Sequence, residues 1–124
     1  MDREKFIEKF DTASDTLDMK HIDTVISDCL DRLHDKYQNN LNHMIVISTM
    51  EESGEYIQAL SQRMRGRVED NYDILQEIGD NILDMLCIGR LFGISHKDIK
   101  KAINVKLDRE AGRIEQHRQG LEVQ

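Results

Sequence analysis

A chain of 124 residues, 39% apolar and 33% charged, has the make-up of one folded domain and excludes a disordered segment. Its 24 acids against 17 basic residues give a net charge of −7, which speaks against binding a nucleic-acid polymer, because such affinity normally comes from a cationic face. The longest apolar run, MIVI at 44–47, is far too short to cross a bilayer.

In chain order, the first segment, 1–20, is weakly patterned and reads as a short helix plus a loose arm; MDREKFIEKF lacks the apolar stretch of a signal peptide. A helix over 21–37 carries Ile22, Val25, Ile26, Cys29, Leu30 and Leu33 on one stripe, and QNN at 38–40 breaks it. A second long helix covers 41–64. RGRVEDN at 65–71 is a loop, flexible at Gly66, with Asp70 or Asn71 as the next N-cap. A helix over 72–91 ends at Gly93, which suits a C-cap. SHKD at 95–98 has the form of a capping box and opens a helix over 96–113, before a tail, 114–124, whose closing GLEVQ is expected to fray. Strict apolar alternation is absent and proline does not occur, so strands have no support. The expected fold is all-α: one domain built as an antiparallel bundle of about four main helices, completed by oligomerisation. Cys29 and Cys87 sit far apart without a CxxC pattern and read as reduced core residues of a cytoplasmic protein.

Two acidic clusters break the apolar pattern. On a helix at about 100° per residue, Glu77, Asp80, Asn81 and Asp84 share one arc, while Ile74, Leu75, Ile78, Ile82, Leu83, Met85, Leu86 and Ile88 fill the remainder. In EESGE at 51–55, Glu52 and Glu55 lie one turn apart with Glu51 beside Glu55, among Met44, Ile45, Ile47, Met50, Ile57, Ala59 and Leu60. Helices apolar over most of their circumference are expected to be buried on most sides, with the acids facing an internal cleft. Packed antiparallel, they bring the ExxE pair, Glu52 and Glu55, against the ExxD pair, Glu77 and Asp80. Four carboxylates in one cleft raise each other's pKa, and burying them unpaired costs several kcal/mol per ion. Protons, basic partners or a divalent cation offset that cost. No lysine or arginine lies in either stripe, which favours a cation, and oxygen ligands select Mg2+, or Mn2+ as a substitute, over zinc.

EESGE at 51–55 followed by EIGD at 77–80 resembles the EExxE…ExxD signature of the MazG-like all-α nucleoside triphosphate pyrophosphohydrolases, relatives of the dimeric dUTPases and dCTP pyrophosphatases. INVKLDRE at 103–110 is similar to their Asn-x-Lys-Phe-x-Arg-Arg segment, with Leu107 in place of the aromatic and Glu110 in place of the second arginine. The resemblance covers about 41–110. It implies Mg2+ on Glu52, Glu55, Glu77 and Asp80, with Asp84 extending the metal site. Glu51 would act with Glu52 and Glu55 in catalysis, as an acid or base beside the metal. Asn81, Asn104, Lys106 and Arg109 would bind the substrate. The implied reaction hydrolyses a nucleoside triphosphate, as a dNTP, to the monophosphate and pyrophosphate, in a housekeeping role within a homodimer or homotetramer. Metal would bridge carboxylates and phosphates, activate water and stabilise the leaving group. The rival is a non-catalytic helical module that binds a nucleotide or a protein.

Other features have plainer readings. Arg63, Arg65 and Arg67 suit a helix C-terminus, where cations meet the dipole. Lys97, Lys100 and Lys101 form a basic patch. Met44, Met50, Met64 and Met85 read as core filling. Tyr56 and Tyr72 are candidates for stacking on a base. The five histidines lack metal-ligand spacing, and the absence of a GxxxxGK[ST] loop argues against a P-loop enzyme.

Overall fold

A computed structural model describes residues 1–120. The segment 121–124, with most of the tail expected to fray, lies outside the described residues. Among those described there are helices and turns and no strand: α1 Arg3–Thr12, α2 Met19–Tyr37, α3 Leu41–Met64, α4 Tyr72–Leu91 and α5 His96–Arg118, with a 3-10 turn at Gln38–Asn40. The chain divides into two compact units, Met1–Phe92 and Gly93–Gln124.

Short-range chemistry sets most helix ends. The Asp2 carboxylate caps α1 by accepting from Lys5 N at 2.9 Å, and Asp18 caps α2 by accepting from Lys20 N and His21 N. Gly66 and Gly93 adopt φ +72°, the left-handed conformation that stops α3 and α4 and that a Cβ disfavours. At the start of α4, Asn71 makes no side-chain cap, and the Asp70 carboxylate takes that place by accepting from Tyr72 N at 3.2 Å. In the second unit, Ser95 and Asp98 form the expected reciprocal capping box of α5. Good helix formers carry α5 to Arg118, five residues past the sequence estimate.

In the first unit, α3 and α4 form a hairpin whose course is fixed by side-chain bonds. Beside the connection, Arg63 Nε donates to Asn71 Oδ1 at 3.0 Å; further along, Asn81 Nδ2 donates to the Glu52 carbonyl at 3.2 Å. Residues late in one helix therefore meet residues early in the other, so the pair is antiparallel. α2 packs on both. α1 anchors at the start of α4: Arg3 pairs with Asp70 and, at 2.9 Å, with Asp73, while the Tyr72 hydroxyl donates to Asp11 and the Phe10 ring meets the Tyr72 ring edge-on.

The expectation that α3 and α4 are buried on most sides is overturned. Among the described residues only Ile26, Leu41 and Ile45 are buried apolar residues. Met50, Met64 and Met85, read as core filling, are 71%, 84% and 65% exposed. The physical reason is a choice between faces. Glu52 on α3 and Glu77, Asn81 and Asp84 on α4 are half-buried toward the neighbouring helices while Glu51, Glu55 and Asp80 stay exposed, so the opposite stripes must turn out: Val46, Met50, Ile57 and Met64 on α3, and Leu75, Ile78, Ile82 and Met85 on α4. Cys29 and Cys87 are free and half-buried rather than fully in a core.

Gln38, the α2 C-cap, has φ +50° and ψ −118°, a region that only glycine visits without strain. Gln38→Gly is expected to raise stability by about 1 kcal/mol, the relieved strain exceeding the entropy cost of glycine; urea unfolding followed by circular dichroism checks this.

Candidate metal centre

α3 and α4 bring three of the expected acids to one point. One carboxylate oxygen from each of Glu52, Glu55 and Glu77 lies within 4.8 Å of the others. Helical spacing makes this possible: Glu52 and Glu55 are one turn apart on α3, and the hairpin register sets Glu77 opposite them. Asn81, one turn after Glu77, fixes that register. Its amide donates to the Glu77 carbonyl at 2.7 Å and to the Glu52 carbonyl at 3.2 Å, so both N–H groups hold backbone of the two acid-bearing turns. The residue expected to bind substrate therefore has a positioning duty between the helices.

The trio is electrostatically costly as it stands. Partial burial first, and the charges of Asp80, Glu55, Asp84 and Glu51 second, push the Glu52 carboxyl above the ordinary glutamate range. Glu77 is raised by the same burial and by its carboxylate neighbours Glu55, Asp80 and Glu52. Glu52 and Glu77 each keep one buried carboxylate oxygen without a hydrogen-bond partner. Among the described residues no lysine or arginine pairs with the trio. Orphaned buried oxygens in an all-carboxylate set fit a hard divalent cation, which would supply both the missing charge and the missing ligation.

The remaining sequence candidates are distributed as follows. Asp80 is exposed on α4 with its charge acting on Glu52 and Glu77. Glu51 and Asp84 line a cleft of about 230 Å3 beside the trio, otherwise walled by Leu33, Tyr37, Leu41, Met44, Ile45, Ile47, Ser48 and Cys87. Burial there raises the Cys87 thiol. Asn104, Lys106 and Arg109 belong to α5, in the second unit. Tyr72 is engaged by Asp11 and Phe10 rather than available for stacking, and Arg63 is held by Asn71.

Sequence reasoning missed two groups. Leu33 and Tyr37, an i, i+4 pair on α2, reach the cleft from a helix that carries no acidic signature. On the other side of the trio, Met1, Arg3, Gln58, Gln62, Asp73 and Gln76 line a second, more polar cleft of about 290 Å3 with Glu55 and Glu77. The i, i+4 pair Gln58 and Gln62, one turn beyond Glu55, was the available signal.

Residues 38–112 match the family described as the MazG nucleotide pyrophosphohydrolase domain. No curated protein matches the chain, and no solved structure matches it.

Because Glu52 and Glu77 hold protons more tightly folded than unfolded, their contribution to metal-free stability is present at acid pH and lost as pH rises above about 4.5, the ordinary glutamate value. Mg2+ at one hundred times its Kd should add about 2.7 kcal/mol at neutral pH, a Tm rise on the order of 10 °C for a chain of this size. Glu77→Gln should remove most of that rise while leaving the metal-free protein no less stable, as differential scanning calorimetry with and without Mg2+ would show.

Proposed function

The chain belongs to the MazG nucleotide pyrophosphohydrolase family, and from that premise we propose that it hydrolyses a nucleoside triphosphate, as a dNTP, to the monophosphate and pyrophosphate with Mg2+. The observation that supports this reading best is the trio itself: three convergent carboxylates, two with orphaned buried oxygens, on the two helices that carry EExxE and ExxD. A triphosphate is repelled by such a cluster unless a cation lies between them.

In this reading Glu52, Glu55 and Glu77 hold the ion and Asp80, one turn from Glu77, completes its ligand set, with Mn2+ a competent substitute. The ion polarises the phosphate and lowers the pKa of water. The protein's own groups do the rest. Glu52 and Glu77, whose carboxyls hold a proton more tightly than an ordinary glutamate, are candidates to take up a proton, and Asn81 keeps the two acid-bearing turns in register. Glu51 is a further candidate base and Asp84 a further ligand by resemblance, although both also border the apolar cleft. Asn104, Lys106 and Arg109 are carried as phosphate contacts on the resemblance of INVKLDRE alone; their donors and charge are of the right kind.

The chain also works, in this proposal, as a homodimer or homotetramer. The outward stripes of α3 and α4 place eight large apolar residues in water, four on each back of the hairpin; exposed apolar stripes of this kind mark association surfaces, and a second copy offers the same stripes in return. No helix among the described residues is long and apolar enough to cross a membrane, and a cytoplasmic location is proposed from the unpaired cysteines.

Two measurements test these points. With a panel of dNTPs and Mg2+, pyrophosphate release is expected from at least one nucleotide, and Glu52→Gln and Asp80→Asn should each lower kcat/KM at least about 100-fold; no release from any nucleotide, or unchanged release in both variants, rejects catalysis. Analytical ultracentrifugation should give a species at least twice the 14.5 kDa chain mass, and the double change Ile57→Glu, Ile82→Glu should shift it to the monomer.

A further inference from the structure

The apolar cleft beside the trio has a composition that metal binding does not explain. Its walls are Leu33 and Tyr37 from α2, Leu41, Met44, Ile45 and Ile47 from α3, and Cys87 from α4. Its only polar side chains besides the Tyr37 hydroxyl are Ser48, Glu51 and Asp84. Apolar walls with a few convergent polar groups are the usual form of a small-ligand site, and at about 230 Å3 this one lies below the roughly 300 Å3 at which drug-sized sites begin. It suits one ring system.

Its place on the helices says which ring system. Glu51 directly precedes Glu52, and Asp84 follows Asn81, the clamp on the Glu52 carbonyl, by one turn. Along α3 the cleft is lined from Leu41 to Glu51, centred near Val46, and the trio lies between Glu52 and Glu55, a separation of roughly 11 Å at 1.5 Å per residue. A sugar and the first phosphates of a triphosphate cover that distance. A nucleotide with its phosphates on the trio's cation would therefore lay its base in this cleft.

Resting on the reading of the trio as the substrate's metal site, we propose that this cleft is the base pocket and that Glu51 and Asp84 make it select bases bearing an exocyclic amino group over uracil and thymine. Carboxylates only accept hydrogen bonds. The amino groups of cytosine, adenine and guanine donate, and an acid paired with the cytosine amino group is a recurrent mode of base reading. Uracil and thymine offer one N–H flanked by two carbonyls, which bring acceptors against acceptors. Asp84 is half-buried on the cleft wall and Glu51 is exposed at its rim; an acceptor left facing a carbonyl, Asp84 above all, discriminates more than a missing methylene does. Leu33 and Tyr37 supply a face on which the ring packs, and Ser48 adapts, since its hydroxyl both donates and accepts.

The test compares dCTP, dGTP, dATP, dUTP and dTTP as substrates of the full chain with Mg2+, for the wild type, Asp84→Asn and Glu51→Gln. It adds equilibrium binding of the five deoxynucleoside monophosphates, which needs no turnover. For the wild type, kcat/KM for the best amino-bearing base should exceed that for dUTP and dTTP at least tenfold. An amide both donates and accepts, so at least one variant should bring that ratio down at least fivefold through KM. A metal or structural role would instead lower kcat for all five alike. Equal turnover of all bases, a preference for dUTP or dTTP, or ratios unchanged in both variants overturns the base pocket while leaving the hydrolase intact. Absence of turnover with every nucleotide sinks the hydrolase reading instead; the monophosphates then decide the pocket, which falls if they bind without discrimination.

Discussion

The structure turns on the opposition of two acidic helix faces. Glu52 and Glu55 on α3 and Glu77 on α4 are brought within reach of one ion, against their mutual repulsion and against the cost of leaving two carboxylate oxygens buried and unpaired. Something must hold the helices there. Asn81 does part of it, because its amide bonds the backbone of both acid-bearing turns. Its two N–H groups meet two carbonyl acceptors, which fixes the orientation of the amide. Holding α3 and α4 through the backbone leaves the carboxylates free of protein donors and open to a cation.

That choice dictates the outer surface. A helix has one circumference, and once the polar stripe is turned toward the partner helix the apolar stripe must face away. The hairpin is in this sense inside out: acids between its rods, Val46, Met50, Ile57 and Met64 on one back and Leu75, Ile78, Ile82 and Met85 on the other. The few buried apolar residues among those described, Ile26, Leu41 and Ile45, belong to α2 and α3, which pack together. The first unit thus leaves much of its apolar surface open rather than gathering it into a closed core. The segment before residue 38, outside the family match, braces this arrangement, α2 against both rods and α1 through Arg3 and Asp11 at the start of α4.

Local rules read well from the sequence and global ones did not. The bounds of α3 and α4, the capping box at Ser95 and Asp98, and the glycine stop at Gly93 follow from short-range chemistry, and each stands where the pattern put it. The convergence of Glu52, Glu55 and Glu77 was legible because helical spacing and an antiparallel hairpin leave little freedom. Burial was misjudged. A helix apolar around most of its girth is buried only if something covers it, and one chain's sequence does not say whether the cover comes from itself or from a second copy. Leu33 and Tyr37 escaped notice for a related reason: a cleft wall contributed by a third helix has no signature in its own segment.

A net charge of −7 opposes an anionic substrate, and the placement of the cations bears on how the proposed activity is compatible with it. In the first unit Arg3, although it lines the polar cleft beside Glu55 and Glu77, is taken up by Asp70 and Asp73, and Arg63 by Asn71; neither pairs with the trio. With these two cations engaged, the field between α3 and α4 stays negative until an external cation enters. On the proposed reading, affinity for the anion would be conditional on the metal rather than built into the fold: the site would reject free polyphosphate and accept its metal complex, and the same negative charge would suppress binding to nucleic-acid polymers. Acidity would then act as a selectivity device, making the ion, rather than the protein, the first thing that the phosphates meet.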